Sequence, residues 1–375
     1  MLPTLAQIPA EVVAVGDYEP LARERMSTSA WAYLQGGAAD ELTLRDNLDA
    51  FRRLRLLPRV LTDVGGGDIA LTLLNHRHAS PILLAPVAYQ QLAHPEGELA
   101  TALAASAMQT CIVVSTQAST SLETLAQTTQ GPLWFQLYIQ PDRAFTRELV
   151  ARAEAAGYQA LVVTVDAPVN GVRNREQRTG FTLPQGVVAV NLEGMRSLPD
   201  EPVRAGGIPL LQTKLVRSAA TWDDVQWLRS ITKLPILLKG ILAPGDAVRA
   251  ADEGIAGVVV SNHGGRTLDG LPATIDALPA IAHAVEGRIP LLLDGGIRRG
   301  TDIFKALALG ASAVLIGRPF VHGLAAAGAS GVVHVLHILR TELEIAMALT
   351  GCRTLADIDI TRLAQPLNCS CRRHN

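Results

Sequence analysis

The hydrophobic positions of this chain fall into a rhythm of eight short apolar runs, each followed by a stretch with helical spacing. The runs are PILLAP from Pro81, CIVVST from Cys111, LWFQLYI from Leu133, ALVVTVD from Ala160, PILLKG from Pro235, GVVVSN from Gly257, IPLLLDGG from Ile289 and AVLIGRP from Ala313. Their apolar character is continuous rather than alternating, so each predicted strand is buried on both faces, as parallel strands covered by helices are. Between them, GELATALAASAM, RELVARAEAAGY, GDAVRAADEGI and GTDIFKALALGA carry Ala and Leu at the spacing of amphipathic helices, with Gly157, Gly254 and Gly310 at C-cap positions. Eight strand-then-helix units in series, with no G-x-G-x-x-G after any early strand, predict an α/β fold closed as a (β/α)8 TIM barrel rather than an open doubly wound sheet.

Two regions stand outside the rhythm. Asp17 to about Leu57 reads as an N-terminal helical extension, with Asp17 as an N-cap and Gly36-Gly37 as a break between helices. Gly180 to Ser218, after the fourth strand, is long, rich in Gly, Pro and Leu, and without period, which predicts a lid or a disordered insertion. A single domain over 1–375, with its barrel over about 80–350, accommodates both.

Composition narrows the partners. A 48% hydrophobic, 18% charged chain has material for a large core, and a net charge of -2 provides no basic field for nucleic acid. No basic leader precedes an apolar run, and no stretch reaches the length of a membrane span, so the expectation is a cytoplasmic protein without membrane attachment. Four cysteines, Cys111, Cys352, Cys369 and Cys371, are too few and too badly spaced for a disulfide framework or a four-ligand zinc site. Cys369, Cys371 and His374 in the tail are read as a frayed terminus, and no metal is expected.

Active-site groups in such a barrel come from the carboxyl ends of the strands. The sequence places Ala88, Tyr89, Ser115, Gln117, Gln136, Tyr138, Thr164 and Asp166 there from the first four strands. Lys239, His263, Arg266, Asp294, Arg298, Gly317 and Arg318 come from the last four. In SNHGGRTLDG, from Ser261 to Gly270, a His and an Arg three residues apart share a turn made by two glycines. That arrangement suits an α-hydroxy acid, with imidazole taking a proton while guanidinium holds the carboxylate; a solvated turn whose side chains satisfy backbone carbonyls is the blander alternative. Glycine-rich loops in LLLDGGIRRG and GASAVLIGRPF predict a phosphate site, with Arg298, Arg299 and Arg318 supplying charge; simple turns with surface arginines are the alternative, which two such loops together disfavour. Lys239 at the end of a buried run calls for an anion or a dipole beside it: an electron-accepting cofactor, a Schiff base or a structural ion pair all satisfy it.

With these residues assembled, the chain resembles the FMN-dependent α-hydroxy acid oxidase and dehydrogenase family from about Asp17 to Arg353, most specifically in SNHGGRTLDG, LDGGIRRGTDIFKALALGA and VLIGRP. The resemblance implies FMN as cofactor and oxidation of a small (S)-2-hydroxy acid, lactate- or mandelate-like, to the 2-oxo acid. It implies His263 as the base, oriented by Asp166, with Arg266, Arg173, Tyr33 and Tyr138 holding the substrate. For the flavin it implies Ala88, Ser115, Gln136, Thr164, Lys239 and Ser261 around the ring, and Asp294, Gly296, Arg298, Gly317 and Arg318 toward the phosphate. It also implies a homo-oligomer, a tetramer by likeness.

Departures from that family's pattern bear on the substrate. Gln117 stands where glycolate oxidases carry Trp, and Asn170 where they carry an apolar residue, while Tyr89 offers an aromatic wall. Ala88 is similar to the oxidases at a position where dehydrogenases more often have Gly, which favours molecular oxygen as acceptor and hydrogen peroxide as product. A dehydrogenase using another acceptor, a flavin barrel isomerising a phosphorylated isoprenoid, and a non-catalytic flavin- or phosphate-binding barrel are the alternatives.

Overall fold

The computed structural model describes residues 1–195 and 209–364. Three helices open the chain: α1 (Tyr18–Arg25), α2 (Thr28–Gln35) and α3 (Leu42–Arg53). The expected break at Gly36-Gly37 separates α2 from α3, while the break before α2 comes from Ser27, whose hydroxyl accepts from the Ala30 N–H at 3.1 Å. Asp17 does not cap α1: its carboxylate turns back to accept from the N–H groups of Val13 and Ala14, at 3.0 and 2.8 Å, and closes the preceding turn. A short antiparallel hairpin, β1 (Leu71–Leu73) and β2 (His76–His78), follows; no repeated apolar run announces it in the sequence.

All eight apolar runs form strands: β3 (Ile82–Leu84), β4 (Ile112–Ser115), β5 (Leu133–Leu137), β6 (Ala160–Thr164), β7 (Ile236–Ile241), β8 (Gly257–Val260), β9 (Leu291–Leu293) and β10 (Ala313–Ile316). They pair in parallel in chain order, and β10 returns to β3 to close the barrel. Side chains alternate along each strand, so one set packs outward under the helices while the other fills the barrel. The interior set includes Leu83, Val113, Trp134, Val162, Leu237, Val259, Leu292 and Leu315, and Leu73 of the hairpin joins it. One pleat further along the same faces stand Ala85, Ser115, Gln136, Thr164, Lys239, Ser261, Asp294 and Gly317. The apolar layer is thus a floor, and the next layer is a polar ring at the carboxyl end.

The segment expected to lack period, 180–218, contains short helical turns at Val190–Leu192, Leu210–Gln212 and Lys214–Arg217, each closed by local backbone bonds; residues 196–208 lie outside the described residues, as does the cysteine-bearing tail. One helical run, Arg318–Thr350, is long and apolar enough to cross a membrane, contrary to the expectation that no stretch reaches that length. Within its most apolar window 72% is buried inside the fold, and the run breaks at Ala327 and Gly328 to pack on α1 and the helices 97–107 and 300–308.

The loops after β3 and β4 share one buried acceptor. Glu98, 1% exposed, accepts from the N–H groups of Gln90 and Ser119 at 3.0 and 2.9 Å. Glu98→Ala should leave both donors dry and lower the unfolding free energy by roughly 2–4 kcal/mol in denaturant titration; an unchanged midpoint and slope would show that the loops do not lean on it.

Candidate active site

Above the polar ring lies a cavity of about 800 Å³ at the carboxyl end of the barrel, of the size that takes a cofactor or drug-sized ligand. A smaller depression of about 480 Å³ at the opposite end, between Ala282 and Ser312, carries no ionisable side chain. The site residues singled out in the sequence line the large cavity apart from Arg299 and from Asp166 and Ser261, which stand behind it as partners of lining residues. Asn170 is at its exposed rim, while Arg299 is exposed, precedes the helix 300–308 and does not line it.

The ring is wired across neighbouring strands. Ser115 donates to the Gln136 carboxamide oxygen at 3.2 Å, and the Gln136 amide donates to Thr164 at 3.1 Å. Lys239 is 4% exposed; its Nζ meets Asp294 Oδ2 and Ser261 Oγ, both at 2.9 Å. Burial opposes its charge, but Asp294 and Asp166 overcome this and hold the ammonium above its ordinary pKa. The next residue must be glycine: Gly240 has φ +111°, and a Cβ there would lie 2.4 Å from that of Asp166.

His263 sits on a left-handed run, with φ +57° at His263, +62° at Gly264 and +73° at Gly265. Glycine takes that conformation freely, and a histidine held there is strained. The strain aims the ring at Asp166, whose Oδ1 is 2.9 Å from Nδ1. Burial lowers the imidazole pKa, helped by Lys239 and Arg266, and this outweighs the raising effect of Asp166. Burial pushes the other way on Asp166, but the His263 hydrogen bond and nearby positive charge leave its carboxyl below the usual range. The pair therefore rests as neutral imidazole and carboxylate. An ionised carboxylate only accepts, so Nδ1 carries the hydrogen and Nε2 keeps the free lone pair.

Around this imidazole stand two arginines and two phenols. Arg266 donates to the carbonyls of Tyr33 and Gly36 at 2.6 and 2.9 Å, while its guanidinium lies over the Tyr33 ring at 5.2 Å. The alternative of a turn that satisfies carbonyls is thus part of the arrangement: Arg266 does so and still faces the cavity. Burial and Arg173 bring its pKa down to about 10, so it stays cationic at neutral pH. Arg318 donates to the carbonyls of Gln35, Gly264 and Gly36. The C-terminus of α2 consequently holds two barrel arginines with its free carbonyls. Burial raises the phenols of Tyr33 and Tyr138, the latter to about 12, so both remain proton donors.

Sequence reading did not find Glu176 or Phe181. Glu176 pairs with Arg173 at 3.0 Å and approaches Arg266 at 3.8 Å, and Phe181 stacks on Tyr33 at 4.6 Å. The three-residue spacing of Arg173 and Glu176 on a helical turn was the available signal for the first; nothing local marks the second.

Five cations line the cavity, Arg173, Lys239, Arg266, Arg298 and Arg318, against the carboxylates Glu176 and Asp294 with Asp166 behind them. Such a surplus calls for anionic ligands. The FMN-dependent dehydrogenase family matches residues 22–365. The chain belongs to that family. It is 50% identical over 353 residues to an L-lactate oxidase of Nostoc sp., covering 92% of this chain and 96% of that one. A peroxisomal (S)-2-hydroxyacid oxidase of Arabidopsis thaliana is 45% identical, covering 93% and 95%. A solved mandelate oxidase variant with (S)-mandelic acid superposes with a TM-score of 0.85 at 43% identity, covering 94% and 98%. As a member of this family the chain is an FMN-dependent oxidoreductase, and its residues suit that cofactor. Buried Asp294 Oδ1 has no hydrogen-bond partner among the described residues, Lys239 uses two of its three N–H donors on protein, and the cation surplus suits a phosphate.

The Asp166 carboxylate is the partner that raises the His263 pKa, so Asp166→Asn should lower it further. Histidine NMR across pH checks this; an unchanged or raised value would show that the pair is not coupled as described.

Proposed function

We propose that the chain oxidises a small (S)-2-hydroxy acid, lactate- or mandelate-like, to the 2-oxo acid and passes the electrons to molecular oxygen, yielding hydrogen peroxide. One observation carries the reading: a neutral, carboxylate-oriented imidazole shares the cavity with two arginines and two protonated phenols. The relatives support it by name, as a lactate oxidase, an (S)-2-hydroxyacid oxidase and a mandelate oxidase.

In this reading Arg266 and Arg173 bind the substrate carboxylate, and Tyr33 and Tyr138 donate to its oxygens. His263 takes the substrate proton at Nε2, and Asp166 stabilises the imidazolium that results. The bound flavin supplies the two-electron acceptor. Lys239 and Ser261, with Ala88, Ser115, Gln136 and Thr164, would hold its ring, and Asp294, Gly296, Arg298, Gly317 and Arg318 would hold its ribityl phosphate. Tyr89, Gln117, Phe181 and Asn170 bound the side-chain pocket, an aromatic wall with a polar edge.

Protein loaded with FMN should bleach anaerobically on adding L-lactate or (S)-mandelate and release peroxide in air. No bleaching across a panel of 2-hydroxy acids would remove the reading, and bleaching without peroxide would remove oxygen as acceptor. His263→Ala should keep flavin and lose about 10²–10⁴ in the rate of flavin reduction. The base works unprotonated, so wild-type reduction should fall as pH drops through the lowered His263 pKa and stay level from there through neutrality; an acid limb above the ordinary imidazole range would contradict this.

A further inference from the structure

The turn that carries His263 is not secured by the barrel alone. Asn47, on α3 outside the strands, and Asn262, on the turn, form a reciprocal carboxamide pair: Asn47 Nδ2 donates to Asn262 Oδ1 at 2.9 Å, and Asn262 Nδ2 donates to Asn47 Oδ1 at 2.8 Å. Both side chains are buried, at 1% and 0% exposure. Each oxygen takes a second bond. Asn262 Oδ1 accepts from the Gly265 N–H at 3.1 Å, closing the left-handed run, and Asn47 Oδ1 accepts from the Thr274 N–H at 3.2 Å. Thr274 in turn donates to the Asp294 carbonyl at 2.5 Å, on the loop whose side chain pairs with Lys239. The Asn47 backbone also presses on that loop, its carbonyl oxygen 2.0 Å from where a Cβ on Gly296 would be.

We infer that Asn47 is a positioning residue that locks the strained His263 turn to the Asp294 loop, so that a helix outside the barrel sets where the base stands. Asn47 does not line the cavity, and it acts through Asn262. The pair is costly to break from one side, because each amide would leave the other's donor and acceptor dry. Losing it frees the left-handed turn to relax and carries the imidazole off its line with Asp166.

The inference rests on His263 being the base, and the test separates the two claims. FMN-loaded wild type, Asn47→Ala, Asn262→Ala and the double variant are compared by anaerobic flavin reduction with L-lactate and by the His263 imidazole NMR signal, assigned from its loss in His263→Asn. Lys305→Met is the control, because Lys305 Nζ binds the Phe51 carbonyl at 2.8 Å and so anchors the other end of α3 without touching the turn. Asn47→Ala should lower the limiting reduction rate about 10–100-fold, as expected for a small misplacement of a reacting group, with half-saturation within about threefold. It should also shift the His263 signal, and the double variant should be no worse than Asn262→Ala alone. Lys305→Met should leave rate and signal near wild type. An unshifted His263 signal in Asn47→Ala, or the same rate loss and shift in Lys305→Met, would overturn the inference. Should Asn47→Ala fail to fold, Asn262→Ala decides: an unmoved His263 signal there overturns it equally. If wild type is not reduced by L-lactate or any other 2-hydroxy acid, the proposed reaction fails, and the NMR comparison still decides what Asn47 holds.

Discussion

Positive charge buried at the mouth of an apolar barrel must be answered locally, and the way this chain answers it organises everything around the site. Lys239 is neutralised by Asp294 within the ring, and Arg173 by Glu176 from a helical turn beyond it. Arg266 and Arg318 instead spend donors on backbone carbonyls at the end of α2, which compensates part of their desolvation without cancelling their charge. What is left is a cavity lining with a surplus of positive charge, which suits anionic ligands. A site that arranges its charges in advance binds such ligands without reorganising when they arrive.

The N-terminal extension is therefore part of the active site rather than an appendage. α2 brings Tyr33 to the cavity and its terminal carbonyls to the arginines, and α3 brings Asn47 against the histidine turn. Glu41, between them, accepts from the Gly37 N–H and from Arg175, which joins the extension to the segment after β6. The barrel provides the ring of polar ends, and the extension packs its own side chains and carbonyls against the turn and arginines above that ring.

His263 shows how surroundings set the state of a side chain. A histidine in left-handed backbone is unfavourable, and a buried imidazole beside cations is hard to protonate. Both act on the same ring. The backbone holds Nδ1 2.9 Å from Asp166 Oδ1, and burial, helped by the nearby cations, keeps the imidazole neutral.

Much of this was legible in the chain because the physics behind it is local. A strand buried on both faces must read as a continuous apolar run, so the polar residues at the carboxyl end of each run, Ser115, Gln136, Thr164, Lys239 and Asp294 among them, could be picked out of the sequence. The glycines around His263 were equally readable, since only their backbone makes so tight a turn. What the tertiary structure decided is contact between parts of the chain with no common period: Asn47 against Asn262 across 215 positions, Phe181 on Tyr33, and the carbonyls of α2 under Arg266 and Arg318. Such pairings depend on how the extension and the segment after β6 lie against a barrel that has already closed, and no single segment carries that information.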